Sequence, residues 1–134
     1  MSAGYGAYGI VPGKPVVKSA SATSAGAGNT DCALQPAAGE IWVVLWALGF
    51  HDDDAAARNC QWRQTDGVTD CGVQTTASDA ANVYRQLYDV AKYSAPVVVD
   101  ENFKVYFRGV DLVAGHKIEV RALVHVIKGV SILE

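Results

Sequence analysis

Three histidines, three cysteines and one run of aspartates are the side chains of this 134-residue chain best suited to chemistry. His51-Asp52-Asp53-Asp54 offers an imidazole and hard oxygen ligands, the donor set of a divalent-cation loop. A calcium loop, however, places its acids at alternate positions and bends at a defined glycine. Three consecutive aspartates point in different directions, so the run reads as a solvated loop. His116 and His125 stand alone, without the HxH pair and following Glu that a small β-barrel metalloenzyme requires. No serine or cysteine sits in a GxSxG-type elbow beside a base. Neither Gly109–Leu112 nor Ala25–Gly28 has phosphate-loop spacing. Cys32, Cys60 and Cys71 are odd in number and lack CxxC spacing. That pattern favours buried or idle thiols over zinc ligands, with a Cys60–Cys71 disulfide as the alternative. The sequence therefore assigns no catalytic, cofactor-binding or metal residue, and the expected protein is not an enzyme.

The composition narrows the classes further. Half the residues are hydrophobic and 19% are charged, which suits one folded domain with a real core rather than a disordered chain. A net charge of −3, with eleven scattered Lys and Arg, provides no electrostatic footprint for direct nucleic-acid binding. No run of about 18 apolar residues is present to span a bilayer. The first residues lack a basic and then apolar leader, so no cleaved secretory signal and an intracellular origin are expected.

The elements that would position these residues are mostly strands. Asn102–Leu112 and Lys117–Ile127 alternate apolar and polar residues and are predicted to pair as a C-terminal hairpin at the centre of the fold. Glu40–Phe50 is apolar on both alternating sets. Ile41, Val43, Leu45 and Ala47 form one, and Trp42, Val44, Trp46 and Leu48 the other. Such a strand is central or covered on its outer side, and two tryptophans on a face turned outward suit an interface. Ala55–Gln64 reads as a returning strand, followed by a Thr65-Asp66-Gly67 turn. Val68–Ala77 is a long loop or short irregular strand, and Val97–Val99 another strand. Ser78-Asp79 is predicted to cap a helix over Ala80–Lys92, with a strand over Val83–Val90 as the competing reading.

Residues 1–35 differ from the rest. Seven of thirteen glycines and nine alanines fall in the first 39 positions, which predicts an extended Gly/Ala/Ser arm. Tyr5, Tyr8 and Ile10 are its anchors for a partner surface, and Val16–Lys18 is read as a brief strand within it. Residues 36–134 are assigned to the folded domain. The predicted fold is thus mainly β: an antiparallel, jelly-roll-like sandwich with one short helix and an N-terminal arm. The interface candidates are Tyr5, Tyr8, Ile10, Trp42 and Trp46.

Two stretches carry a resemblance. The entry Pro36-Ala37-Ala38-Gly39-Glu40-Ile41-Trp42 and the segment from Pro96 to Val124, PVVVDENFKVYFRGVDLVAGHKIEVRALV, resemble small β-sandwich or jelly-roll virion proteins of tailed bacteriophages. These are head decoration, fibre-head and tail-associated subunits, and the likeness spans roughly residues 36–128. It implies a virion structural protein, assembled in the host cytoplasm, that forms homo-oligomers and docks on other virion proteins. It brings no catalytic residues, cofactor or membrane partner with it. The alternative is a carbohydrate- or ligand-binding module whose site lies in the loops His51–Ala55, Thr65–Cys71 and Val113–Lys117.

Overall fold

The computed structural model describes residues 15–89, 91 and 97–128. Tyr5, Tyr8 and Ile10 lie outside them. Nine strands form two antiparallel sheets: β1 (Val16–Thr23), β2 (Asn29–Leu34), β3 (Glu40–His51), β4 (Arg58–Thr65), β5 (Asp70–Asp79), β6 (Arg85–Asp89), β7 (Val97–Asp100), β8 (Lys104–Val110) and β9 (Lys117–Lys128). One sheet, here called the Trp46 sheet, has the order β1-β9-β3-β6, with β7 pairing the other half of β3. The second, the Tyr106 sheet, has the order β2-β8-β4-β5.

The pairing is nested. β4 pairs β5, β3 pairs β6 and β7, β2 pairs β8, and β1 pairs β9. The chain is therefore one long hairpin closed at the β4–β5 turn and rolled up, so that β9 also meets β3 and β8 also meets β4. Two Greek-key sheets joined in this way are a jelly roll. The inner faces interdigitate as a sandwich core built on Trp62, Phe107, Ile118, Val44, Val120 and Val124, each almost wholly buried.

Several expectations change. The two C-terminal strands do not form a hairpin: β8 belongs to the Tyr106 sheet and β9 to the Trp46 sheet, and residues 111–116 arch between them. The alternation that marks each strand says which face is apolar but not which strand lies beside it. A Cβ added at Gly109 of β8 would come within 2.9 Å of the Ile118 side chain of β9, so the two strands face each other across the core. The helix expected over Ala80–Lys92 is replaced by a turn at 81–82 and strand β6; residue 90 and residues 92–96 lie outside the described set. Asn82, at φ 63°, departs from helical geometry, and β3 provides β6 with a ladder partner, so tertiary pairing overrides the local helical stripe.

The N-terminal boundary also moves. Val16–Thr23 and Asn29–Leu34, placed in the arm by composition, are strands β1 and β2. Their inward residues are small or compact: Ala20 and Ala22 pack on the core from β1, and Cys32 and Leu34 belong to it from β2. The connection between them is fastened, with Ser24 Oγ donating to Leu112 O at 2.9 Å and Gly28 N–H to Asp111 Oδ1 at 3.0 Å.

Candidate functional site

β3 decides where the tryptophans go. Trp42 and Val44 point inward, Leu45 is an extra residue at a β-bulge, and from there Ala47, Gly49 and His51 point inward. The bulge shifts the alternation from even to odd positions. Trp42 and Trp46, four apart, would share a face in an unbroken strand, but here they lie on opposite faces. Trp42 is 4% exposed, donates its indole N–H to Glu40 Oε1 at 3.1 Å and lies under the Lys18 ammonium at 5.4 Å. It is a core residue of the fold, and its expected interface role is corrected accordingly. Trp46 is on the outer face.

That outer face is apolar across four strands. Val17 of β1 pairs with Leu123 of β9, Leu123 with Trp46 of β3, Ile41 with Ile127, and Val43 with both His125 and Val98. Ile41, Val98 and Val17 are 40%, 52% and 56% exposed. At one end Phe50 and Tyr84 bring their rings to 5.0 Å, and the Arg121 guanidinium lies 4.8 Å from the Tyr84 ring. Trp, Tyr and Arg, all present on this face, are the residues that dominate protein–protein contact energies. Trp46 lies on the side of β3 expected to face outward; Leu123 and Ile127 were legible only as members of an alternating strand.

The ligand-rich loops behave differently. The Asp53 carboxylate is buried and accepts from Ala55 N–H at 3.0 Å, Arg58 Nε at 2.8 Å and Val113 N–H at 2.9 Å. Those contacts, the Val113 N–H foremost, hold its pKa down to about 2. Asp52 accepts from Lys117 N–H at 2.7 Å and faces His116 Nδ1 at 3.2 Å. The aspartates thus staple the β3–β4 loop to the β8–β9 arch. Donor atoms of Asp53, Asp54 and His116 come within 4.8 Å of one another, closer than consecutive aspartates were expected to converge. With three donors already on Asp53, one of them a guanidinium, the geometry is that of a structural clamp.

The third loop of the ligand-binding alternative, Thr65–Cys71, is elsewhere. Asp66 lines a depression with Ile41, Asp100 and Phe103, at the end of the sandwich opposite the Asp53 clamp. The three loops do not converge on one site.

A cysteine, a histidine and an aspartate do meet in the interior. The Cys60 thiol, the His51 imidazole and Asp79 are all buried, His51 Nε2 lies 2.7 Å from Asp79 O, and Arg85 Nε is 2.8 Å from Asp79 Oδ1. Burial, with Asp79 nearby, pushes the Cys60 thiol up to about 12. This is the reverse of an activated nucleophile. Neither Cys60 nor the buried Cys32 is in a disulfide. Cys71 pairs near Gln64 and Thr65, four or five residues along β4 from Cys60, about 13–17 Å away at strand rise. A Cys60–Cys71 disulfide is therefore ruled out.

The outer face of the Tyr106 sheet is polar and internally matched. Arg108 forms a bidentate pair with Asp31 at 2.7 and 3.0 Å, and Arg63 pairs with Asp70. The Tyr106 ring lies between the two guanidinium groups, at 5.4 Å from Arg108 and 5.9 Å from Arg63, and its hydroxyl donates to Asp70 Oδ1 at 3.2 Å.

No protein-family model matches the chain, and no curated protein matches it.

Proposed function

We propose that this chain is a non-enzymatic structural subunit of a tailed-phage virion, which self-associates and attaches through the outer face of the Trp46 sheet. The observation that carries the reading is the apolar tract from Val17 through Leu123, Trp46 and Val43 to Val98, on a sheet face that a solvated sandwich would dress with polar side chains. The jelly-roll strand order supports it, since that architecture builds capsid domains among others. The suppressed thiol of Cys60 and the buried carboxylate of Asp53, held by three donors, support a structural rather than a catalytic use of the polar residues. The occupant of the face is a second copy of the chain, and the attachment point on the particle adjoins it.

Protein composition of purified tailed-phage particles from the chain's own source tests the reading. The chain is expected there at a fixed ratio to the major capsid or tail protein. Its absence from intact particles, with the free protein abundant in the lysate, would sink the proposal.

A further inference from the structure

The face turned away from the apolar tract carries a second feature. At one end of the Tyr106 sheet a depression of about 460 Å³ opens between the Asp31–Arg108 pair and the β4–β5 turn. That volume is in the range of small-molecule sites, roughly 300–1,000 Å³. Ala33 and Gly67 leave room in it, Val68 stands at its lip at 92% exposure, and Asp31, Asp70, Lys104 and Tyr106 supply its polar groups.

The polar groups are fixed in place. Each Asp31 oxygen takes one hydrogen bond from Arg108, and the Asp70 oxygens take theirs from Arg63 and the Tyr106 hydroxyl. A carboxylate oxygen accepts about two hydrogen bonds; Asp70 Oδ2 already takes two from Arg63, so both Asp31 oxygens and Asp70 Oδ1 keep capacity toward a donor in the depression. Holding by Arg63 also keeps Asp70 below its usual pKa, and therefore ionised. Lys104 differs: it forms no ion pair among the described residues, although both aspartates line the same depression. The two acids are neutralised by the two arginines, and the charge left over is the Lys104 ammonium.

We propose that this depression binds an acidic saccharide, with ring hydroxyls donating to Asp31 and Asp70, a ligand carboxylate on Lys104 and Val68 against the apolar edge of the ring. The chemistry selects the class. Preorganised acceptors match a hydroxyl-rich ligand, and one free ammonium matches a single negative charge. The site stands independently of the association face, because the two lie on opposite sides of the sandwich.

The test is titration of the full chain with a tetrasaccharide of alternating glucuronic acid and N-acetylglucosamine, and with neutral chitotetraose, by calorimetry and amide NMR. The acidic probe is expected to bind at least tenfold more tightly than the neutral one. Lys104→Gln should remove that preference, and Asp31→Ala should weaken both probes tenfold or more. Leu123→Asp, on the opposite face, should leave both affinities unchanged, which separates this site from the association surface. Circular dichroism checks that each variant is folded, and Lys104→Arg should retain the preference in part. Absence of binding by either probe at millimolar concentration overturns the proposal, and so does binding that Lys104→Gln and Asp31→Ala leave untouched.

Discussion

On the outer side of one sheet Trp46 is paired with Leu123 and Ile41 with Ile127, while on the outer side of the other Tyr106 lies between Arg63 and Arg108. Both faces belong to four-strand-wide antiparallel layers over the same core, so secondary structure cannot account for the contrast. The Tyr106 face satisfies itself: each guanidinium has a carboxylate, and the ring is covered by cations. The Trp46 face has nothing of its own chain to cover Ile41 or Val98 among the described residues. A solvated face closes its own hydrogen bonds, whereas an assembly face leaves apolar area for another chain to bury.

The sharpest way to break this comparison is to put one charge on either side of a single strand. Val124 and Leu123 are adjacent in β9; the first is fully buried and the second faces outward. Val124→Asp strands a charge in the core and should cost about 3–5 kcal/mol, seen as a much lower urea midpoint. Leu123→Asp should keep the parent's circular dichroism spectrum and lose association. Equal destabilisation by both would erase the distinction between the two sides.

The inner faces are predicted to be less forgiving than either outer one. A Cβ at Gly49 would meet Phe107 Cε1 at 2.5 Å and Leu87 Cδ1 at 2.9 Å. Gly49→Ala should therefore destabilise by about 1–3 kcal/mol through overpacking, although alanine is the better strand residue on an open surface. A neutral or stabilising result by thermal melting would mean that the two sheets are farther apart than described.

The clamp at the loop end responds to pH. The Asp53 pKa of about 2 in the folded chain lies below the ordinary 3.8, so its contribution is fully present above pH 3.8 and lost as pH falls through about 2. The gap in melting temperature between parent and Asp53→Asn should be wide at neutral pH and close across that acidic interval. A gap independent of pH would assign the effect to packing instead. The smallest effect belongs to the solvated face, where Arg108→Gln should cost no more than about 1 kcal/mol, decline further with added salt and leave the native mass unchanged.

Much of this architecture was legible in the sequence because period-two alternation is a strong signal. Lys117–Ile127, Glu40–Phe50 and Ala55–Gln64 all hold strands close to the expected bounds, although β3 changes phase at Leu45 and Trp42 turns inward rather than outward. The failures share one cause, which is that the deciding partner is remote in sequence. Leu45 makes a bulge because β9 slips one residue against β3, and nothing local to Leu45 announces it. β6 is a strand because half of β3 needed an edge, although Val83 and Leu87 form a helical stripe. Beyond Val16–Lys18, VVKSASAT looks like linker because its inward side chains are alanines, yet it lies on β9 over its whole length. Of the depression on the Tyr106 face only the Thr65–Cys71 loop was legible, which lines it through Thr65, Gly67, Val68 and Asp70; Asp31 and Lys104 come from strands remote from it in sequence.

Sedimentation equilibrium of the full-length chain beside its Trp46→Ser and Leu123→Asp variants tests the central claim most directly. The account predicts a parent mass that is a multiple of the 14.2 kDa chain, and variants that sediment as folded monomers. A monomeric parent, or variants that keep the parent's mass, would contradict it.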